Sequence, residues 1–222
     1  VEKEALLKLY EATNGNQWTV KWDLTKPVNT WHGVVVQEEK VVEINLAGNN
    51  LVGVLPAVLV ELTSLQVLDL HKNQITGGIP LGIGDLKKLR ILKLSFNKLS
   101  GSIPESVCGL KNLQKIELFM NRLSGNLPEQ VGNLKRLEVF SVYNNELIGQ
   151  IPSSLYALKS LKILLLNSNR FTGGLSSEVG NLTALENLSL FDNMLVGEVP
   201  LTIEKMNNLK EMNISYNRFE GL

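Results

Sequence analysis

Residues 65–88 read LQVLDLHKNQITGGIPLGIGDLKK, and this stretch is the unit from which most of the chain is built. Its asparagine, Asn73, recurs at one constant spacing, at Asn49, Asn97, Asn121, Asn145, Asn169, Asn193 and Asn217. A glycine follows each asparagine by four residues, and six of the seven prolines follow that glycine by three. Eight occurrences at one unvarying period indicate an internal repeat.

The repeat has the pattern L-x-x-L-x-L-x-x-N-x-L-x-G-x-I-P, which resembles the leucine-rich repeat, and its second half resembles the plant-specific type of that family. The resemblance covers roughly residues 41–222. It implies an α/β repeat solenoid, a right-handed superhelix with a parallel β-sheet on its concave face. It also implies irregular or 3-10 turns on the convex side.

The physical chemistry of the repeat agrees with this interpretation. Leu68, Asp69 and Leu70 alternate with a period of two, which places both leucines on one face of a short strand. One repeat cannot bury these leucines alone, but stacked copies form a continuous apolar column. We expect Asn73 to bond the backbone of neighbouring turns, because a buried amide there satisfies groups that would otherwise be orphaned.

Residues 1–40 differ from the repeats. A helix is predicted at the start by the apolar residues Ala5, Leu6, Leu9 and Ala12, and Asn14-Gly15 is a typical helix stop. The segment then contains all three tryptophans, at Trp18, Trp22 and Trp31.

A solenoid leaves its first apolar layer bare, so a dedicated N-terminal cap is expected. The segment resembles the cap of plant-type leucine-rich repeats, whose pattern is C-x-W-x-G-V-x-C. Trp31, Gly33 and Val34 match this pattern. Asn29 and Val36 stand where that pattern has cysteines. We therefore expect this helical cap to depend on tryptophan burial instead of a disulfide.

Two regions are predicted from this pattern: a cap over residues 1–40 and eight repeats over residues 41–222. The last repeat is incomplete, and no C-terminal cap follows it. Since an open apolar end needs cover, we expect the native polypeptide to continue or a partner to pack there.

Composition excludes several classes of function. Lys plus Arg and Asp plus Glu number 22 each, so no net charge attracts the chain to nucleic acid or to an anionic membrane. The one cysteine, Cys108, rules out an internal disulfide framework. His32 and His71 have no partner at metal-ligand spacing, and no phosphate-binding loop occurs. The sequence predicts neither metal nor cofactor.

The repeat also predicts which side chains face outward. Counting from the first leucine of each unit, positions 3, 5, 7 and 8 should project from the concave face. Four large apolar residues occupy positions 7 and 8 of three successive units: Phe96, Phe119, Met120 and Tyr143. Exposed apolar patches mark interaction sites, and aromatic residues dominate binding hot spots. The alternative is that strand propensity favours aromatics, or that they pack only on one another.

These positions give the candidate ligand-binding residues. They are Asp69, His71, Lys72, Lys93, Phe96, Lys115, Glu117, Phe119, Met120, Tyr143, Phe191 and Tyr216. The aromatics and Met120 would supply binding energy, and the charged residues would set orientation. As surface sites, Phe119 and Tyr143 are expected to tolerate replacement by alanine with thermal stability nearly unchanged.

An enzymatic function is not predicted. Asp69, His71 and Ser95 should lie close together, as hydrolysis requires. However, no helix N-terminus or strained turn supplies an oxyanion hole beside them.

We therefore predict a non-enzymatic, receptor-ectodomain-like module that binds a protein or peptide on its concave face. A scaffold domain of a larger intracellular protein and a carbohydrate-binding module remain as alternatives, so a glycan partner stays open. No nucleic acid partner and no direct membrane contact are expected, and the oligomeric state is open. Family resemblance suggests an extracellular or cell-surface location, but the missing cap disulfide leaves the cytoplasm open. Three glycosylation sequons begin at Asn181, Asn187 and Asn213.

Overall fold

The computed structural model describes residues 2–221; Val1 and Leu222, the ends of the predicted cap and last repeat, lie outside the described residues. The chain opens with the helix α1 (Glu2–Ala12), in which Leu6 and Leu9 are fully buried as their spacing predicts. Asn14 ends this segment in the left-handed conformation, with φ at 57°. Within the described residues, none of the helices has the length and apolar character that a bilayer span requires.

Seventeen short strands and nine 3-10 helices follow within residues 2–221. The strands are β1 (Val34–Gln37), β2 (Lys40–Asn45), β3 (Val52–Val54), β4 (Val67–Asp69), β5 (Gln74–Thr76), β6 (Ile91–Lys93), β7 (Ser100–Ser102), β8 (Lys115–Glu117), β9 (Arg122–Ser124), β10 (Val139–Ser141), β11 (Ile148–Gln150), β12 (Ile163–Leu165), β13 (Arg170–Thr172), β14 (Asn187–Ser189), β15 (Val196–Glu198), β16 (Glu211–Asn213) and β17 (Arg218–Glu220). The 3-10 helices are Gly15–Gln17, Val28–Thr30, Ala57–Glu61, Ile83–Asp85, Glu105–Gly109, Val131–Asn133, Ser153–Ala157, Ser177–Asn181 and Leu201–Lys205.

One nine-stranded sheet runs through the molecule in the order β1-β2-β4-β6-β8-β10-β12-β14-β16. Only β1 is antiparallel to its neighbour, and every later pair is parallel, with each residue beside its counterpart in the next repeat, as Leu68 is beside Leu92. Leu68 and Leu70 are fully buried beneath the sheet. Burying one leucine contributes about 1.5–3 kcal/mol, so the repeated leucine column supplies most of the driving force for folding. The predicted solenoid with a parallel sheet and short helical turns is confirmed.

The recurring asparagines form a ladder of hydrogen bonds between repeats. The amide nitrogen of Asn73 donates to the carbonyl oxygens of Leu70 and Leu46, each at 2.9 Å. Its oxygen accepts from the backbone N–H groups of Asn49 at 3.0 Å and Leu51 at 2.9 Å. Asn73 is 9% exposed, so each of these bonds satisfies a buried backbone group. The role predicted for this residue is confirmed.

The three tryptophans pack into one cluster against the first repeat. Trp18, Trp22 and Trp31 are 2%, 4% and 3% exposed. Trp22 lies between the other two, with ring centroids 4.9 Å from Trp18 and 4.7 Å from Trp31. Each indole N–H donates to a backbone carbonyl, for example Trp31 to Asp23 at 3.0 Å. Burial with a satisfied N–H is the arrangement that stabilises tryptophan in a core.

Gly33, in the Trp-x-Gly-Val segment, cannot be replaced without moving the backbone. Its φ is +77°, and a Cβ there would lie 2.0 Å from the carbonyl oxygen of Asn45. β1 begins one residue later, inside the predicted cap, and pairs with β2 in the same sheet as the repeats. The division of the chain at residue 40 stays a prediction.

A second set of strands reveals a longer period that the sequence pattern hides. These strands pair as β3–β5, β7–β9, β11–β13 and β15–β17, and single bridges, such as Asn126 with Ile148, link one pair to the next. The turns on the other side of each repeat alternate in the same way. Ser154 donates its hydroxyl to the carbonyl oxygen of Glu129 at 2.7 Å and accepts from the N–H of Gly132 at 2.9 Å. Ser106 makes the equivalent pair of bonds two repeats earlier, so structural features recur in every second unit.

Candidate functional site

The outward face of the nine-stranded sheet carries the predicted site residues. Positions 3 to 5 of each repeat form the strands, so positions 7 and 8 lie just beyond each strand end. Position 8 has left-handed backbone in every repeat, with φ between 52° and 60°. The residues concerned are Gly48, Lys72, Phe96, Met120, Asn144, Ser168, Asp192 and Tyr216. Sequence reasoning missed this conformation, because only the glycine, the asparagine and the aspartate are residue types that favour it.

Hydrogen bonds between repeats hold position 8 in this conformation. The N–H of Phe96 donates to the carbonyl oxygen of Phe119 at 3.0 Å, and the N–H of Met120 donates to that of Tyr143 at 3.0 Å. The stacked repeats therefore impose the backbone, whatever the side chain.

Phe96, like Tyr216, is an aromatic residue poorly suited to its left-handed backbone. Its φ is 53°, and left-handed backbone costs an ordinary side chain about 1–2 kcal/mol. A bulky residue at positive φ is an outlier that calls for an explanation. The ring is nevertheless 42% exposed, so burial does not supply the compensating energy. Phe96 is therefore poorly explained by folding alone.

We call Phe96, Phe119, Met120 and Tyr143 the aromatic patch. Phe119 meets Phe96 edge to face, with centroids 5.5 Å apart, and stacks on Tyr143 at 4.4 Å and 6°. Met120 contacts the side-chain nitrogen of Asn144 through its sulfur at 2.7 Å. The rings pack on one another, as expected if the aromatic residues serve only to contact each other. However, Phe96 still exposes much of its surface to solvent. The sequence-predicted patch is contiguous.

Charged side chains border the aromatic patch. Lys93 and Glu117 form an ion pair at 3.8 Å, and both side chains are half-buried. Burial raises the pKa of the Tyr143 hydroxyl, and the negative charge of Glu117 raises it further. Lys115 lies on β8 together with Glu117, and its side chain is half-buried. This edge of the patch thus offers both signs of charge.

The first predicted polar pair differs from expectation in its exposure. Asp69 is only 7% exposed, and its carboxylate lies 2.5 Å from Nδ1 of His71. Asp69 therefore orients the imidazole and presents little surface of its own, while His71 is half-buried and Lys72 is exposed. Ser95 is 2% exposed, and among residues 2–221 its hydroxyl makes no hydrogen bond to His71. The contact that would activate a serine nucleophile is missing there.

Phe191 and Tyr216 form a second aromatic pair, with centroids 5.2 Å apart, and Tyr216 is 77% exposed. They belong to the seventh and eighth repeats, so the sixth repeat separates them from the aromatic patch. A groove of about 640 Å³ begins at Tyr143 and continues along polar residues such as Asn167 and Ser189. The face therefore has two aromatic regions, and a largely polar groove extends from the first of them.

Two of the predicted sequons lie in this groove. Asn187 donates to a carboxylate oxygen of Glu211 at 3.0 Å, and the side-chain oxygen of Asn213 accepts from Ser215. Asn181 is exposed at the end of a 3-10 helix. Modification at all three stays a prediction.

The repeats match known leucine-rich repeat families and structures. The model of a leucine-rich repeat region matches residues 118–220, and a model of two leucine-rich repeats matches residues 63–107. The solved complex of BIR3 and SERK2 from Arabidopsis thaliana is 33% identical, covers 70% of this chain and 88% of its own, and has a TM-score of 0.62. The chain belongs to the plant-type leucine-rich repeat family.

Two longer plant-type structures resemble this leucine-rich repeat protein. The ectodomain of the Arabidopsis thaliana receptor kinase GASSHO1/SCHENGEN3, in complex with CASPARIAN STRIP INTEGRITY FACTOR 2, is 29% identical, with a TM-score of 0.87. It covers all of this chain and 30% of its own. The plant peptide hormone receptor RGFR1, in complex with RGF2, is 34% identical over 77% of this chain and 31% of its own, with a TM-score of 0.66. This chain thus spans about a third of each ectodomain. A comparison with curated protein sequences found no match.

Proposed function

We propose that this leucine-rich repeat protein is a recognition module that binds a peptide or a protein segment on the predicted concave face. The observation that carries the proposal is Phe96, an exposed aromatic residue on left-handed backbone. A side chain held against its backbone preference without burial is better explained by a contact made outside the fold.

The rest of the face supports a peptide-sized partner. The aromatic patch supplies apolar anchors, and the ion pair of Lys93 and Glu117 supplies charge beside them. Aromatic anchors surrounded by polar groups are the usual anatomy of an interface. Solved relatives are described as receptors in complex with a peptide hormone, which favours the same class of ligand here.

The carbohydrate alternative is weaker on this face. Phe119 and Tyr143 are aromatic rings on which a sugar could stack, but each ring covers one face of the other at 4.4 Å. Only one face of each ring therefore remains for a sugar. A selection of linear peptides separates the scaffold alternative from peptide binding.

The test compares two glycine substitutions at the same repeat position. A displayed library of linear peptides is selected on the wild-type protein, and the enriched peptides are measured on Phe96→Gly and on Ser168→Gly. Both sites have left-handed backbone, with φ at 53° and 54°, but Ser168 lies outside the aromatic patch. We expect Phe96→Gly to weaken binding by about tenfold or more and Ser168→Gly to leave it unchanged, because hot-spot aromatics carry most of the binding energy.

Stability should not confuse this result. Glycine relieves about 1 kcal/mol of backbone strain at Phe96, which offsets a similar loss of the edge contact with Phe119. Equal binding by both variants would remove the aromatic patch as the site. Enrichment of no peptide would refute a linear peptide ligand and favour the scaffold function.

A further inference from the structure

Two departures from the repeat pattern meet at one hollow beside β11 and β13, away from the aromatic patch. Ser176 replaces the proline of the other repeats. Tyr156 is the one aromatic residue at its repeat position, which holds glycine at Gly84, Gly132 and Gly180 and holds Val60, Cys108 and Glu204 in the other repeats. Stacked repeats make equivalent contacts and therefore favour the same residue types at each position. Departures from those residue types that cluster in space point to a local function.

We call this cavity the Tyr156 hollow. Its volume is about 730 Å³, within the range of about 300–1,000 Å³ typical of small-molecule sites. Ile151, Pro152 and Leu175 supply apolar surface, and Gly174 adds space because it has no side chain. The polar lining consists of Asn126, Glu129, Gln150, Ser153, Tyr156, Thr172 and Ser176.

Tyr156 is the most unusual residue of this lining. It is 3% exposed, and its hydroxyl is buried without a hydrogen-bond partner in the described residues. Burial raises the pKa of the hydroxyl to about 12, and the nearby backbone of Ser176 opposes that rise without forming a hydrogen bond. The hydroxyl therefore stays protonated, and its O–H donor has no partner within the described residues.

The charges of the hollow restrict its ligand. Glu129 is the one ionisable acid of the described lining, and no lysine, arginine or histidine belongs to it. An anionic ligand would meet a like charge and no compensating cation. Two amides, several hydroxyls and one carboxylate instead offer both donors and acceptors, which suits a ligand rich in neutral hydroxyl groups.

We propose that the Tyr156 hollow binds a neutral oligosaccharide. The amides of Asn126 and Gln150 and the hydroxyl of Tyr156 would bond sugar hydroxyls, and Pro152 and Leu175 would contact the apolar face of a ring. This site is separate from the proposed peptide face, so either proposal can fail without the other.

Glycine substitutions give a matched test of the site. A Cβ at Gly174 would meet only the carbonyl oxygen of Val196, at 3.6 Å, so a side chain can begin there without a backbone clash, and leucine is chosen to occupy the hollow. Gly78 holds the same position four repeats earlier, where a Cβ would meet only Ser100, at 3.7 Å. Gly78→Leu is therefore a control of equal size and equal steric cost. Thermal unfolding of both variants verifies that each one folds.

The probes are cellotriose, xylotriose and maltotriose, with cellotriouronic acid as the charged counterpart of cellotriose. Binding is followed by backbone amide NMR shifts. We expect at least one neutral trisaccharide to shift the amides of Gln150, Gly174 and Ser176. The affinity should fall by at least about tenfold in Gly174→Leu and stay unchanged in Gly78→Leu. The charged trimer should be rejected, and Glu129→Gln should reduce that rejection, whereas Glu105→Gln, at the same repeat position, should not.

Tyr156→Phe separates a binding role from a structural one. The hydroxyl makes no hydrogen bond within residues 2–221, so its removal should leave the thermal midpoint unchanged or raised while sugar affinity falls several-fold. The proposal is overturned if no neutral trisaccharide shifts these amides, if the shifts fall on the sheet face, or if Gly174→Leu binds as well as the wild type.

Discussion

Replacing Asn97 with alanine tests the asparagine ladder, on which the stacking of repeats depends. The oxygen of Asn97 accepts from the N–H of Ile75 at 3.0 Å. Its nitrogen donates to the carbonyl oxygens of Leu70 at 3.0 Å and Leu94 at 3.1 Å. Asn97 is 9% exposed, so little water reaches these groups.

The structure determines which of these groups alanine would leave unpaired. Leu70 still accepts from Asn73 at 2.9 Å, and Leu94 still accepts from Asn121 at 3.0 Å. The N–H of Ile75 loses its acceptor, and a buried donor without a partner costs about 1–3 kcal/mol. With the weakened carbonyl bonds, we expect the free energy of unfolding to fall by about 2–4 kcal/mol.

Urea unfolding followed by circular dichroism measures this loss. Asn133→Ala is the control, because Asn133 is exposed and its side chain makes no hydrogen bond within the described chain. Asn97→Asp keeps the volume but turns an oxygen toward the two carbonyls, so we expect it to destabilise at least as much as alanine at neutral pH. A loss in Asn97→Ala no larger than in Asn133→Ala would refute the ladder as a source of stability.

Two further predictions concern stability and reactivity. Phe119→Ala should lower the free energy of unfolding by about 2 kcal/mol, because it removes contacts with Phe96 and Tyr143. A double-mutant cycle with Tyr143→Ala should show a coupling energy of about 1 kcal/mol. Additive effects of the two mutations would contradict stacking. Burial raises the pKa of Cys108 to about 11, with the charge of Glu105 adding to the rise, so the thiol should react with a disulfide reagent at neutral pH only as fast as the protein unfolds. An unfolded thiol ionises at about pH 8.5, so the free energy of unfolding should fall as the pH rises from about 8.5 to 11. This fall should be steeper in the wild type than in Cys108→Ala. Equal slopes of unfolding free energy against pH in the two proteins would refute the raised pKa.

The stacking of Phe119 on Tyr143 alters an expectation drawn from sequence. As separate surface sites, the two rings would tolerate alanine with little loss of stability. The structure places them 4.4 Å apart, so they contribute to stability together. The repeat predicted that they lie on neighbouring strands, but ring orientation depends on rotamers, which the pattern does not specify.

Periodicity predicted the fold because each repeat makes the same contacts with its neighbours. Strand positions, the buried leucines and the hydrogen bonds of Asn73 all follow from a unit that must stack on copies of itself. The exposed location of Phe96 followed in the same way. The sequence by itself therefore determined the architecture and the exposed position of Phe96.

Three features were decided only by the tertiary structure. Left-handed backbone at position 8 is imposed by bonds to the next repeat, as between Phe96 and Phe119, and residue types there do not reveal it. Asp69 is buried, and its carboxylate pairs with His71. The Tyr156 hollow joins residues of three different repeats. A linear pattern specifies what each unit shares, whereas such contacts depend on how unlike units meet when they stack.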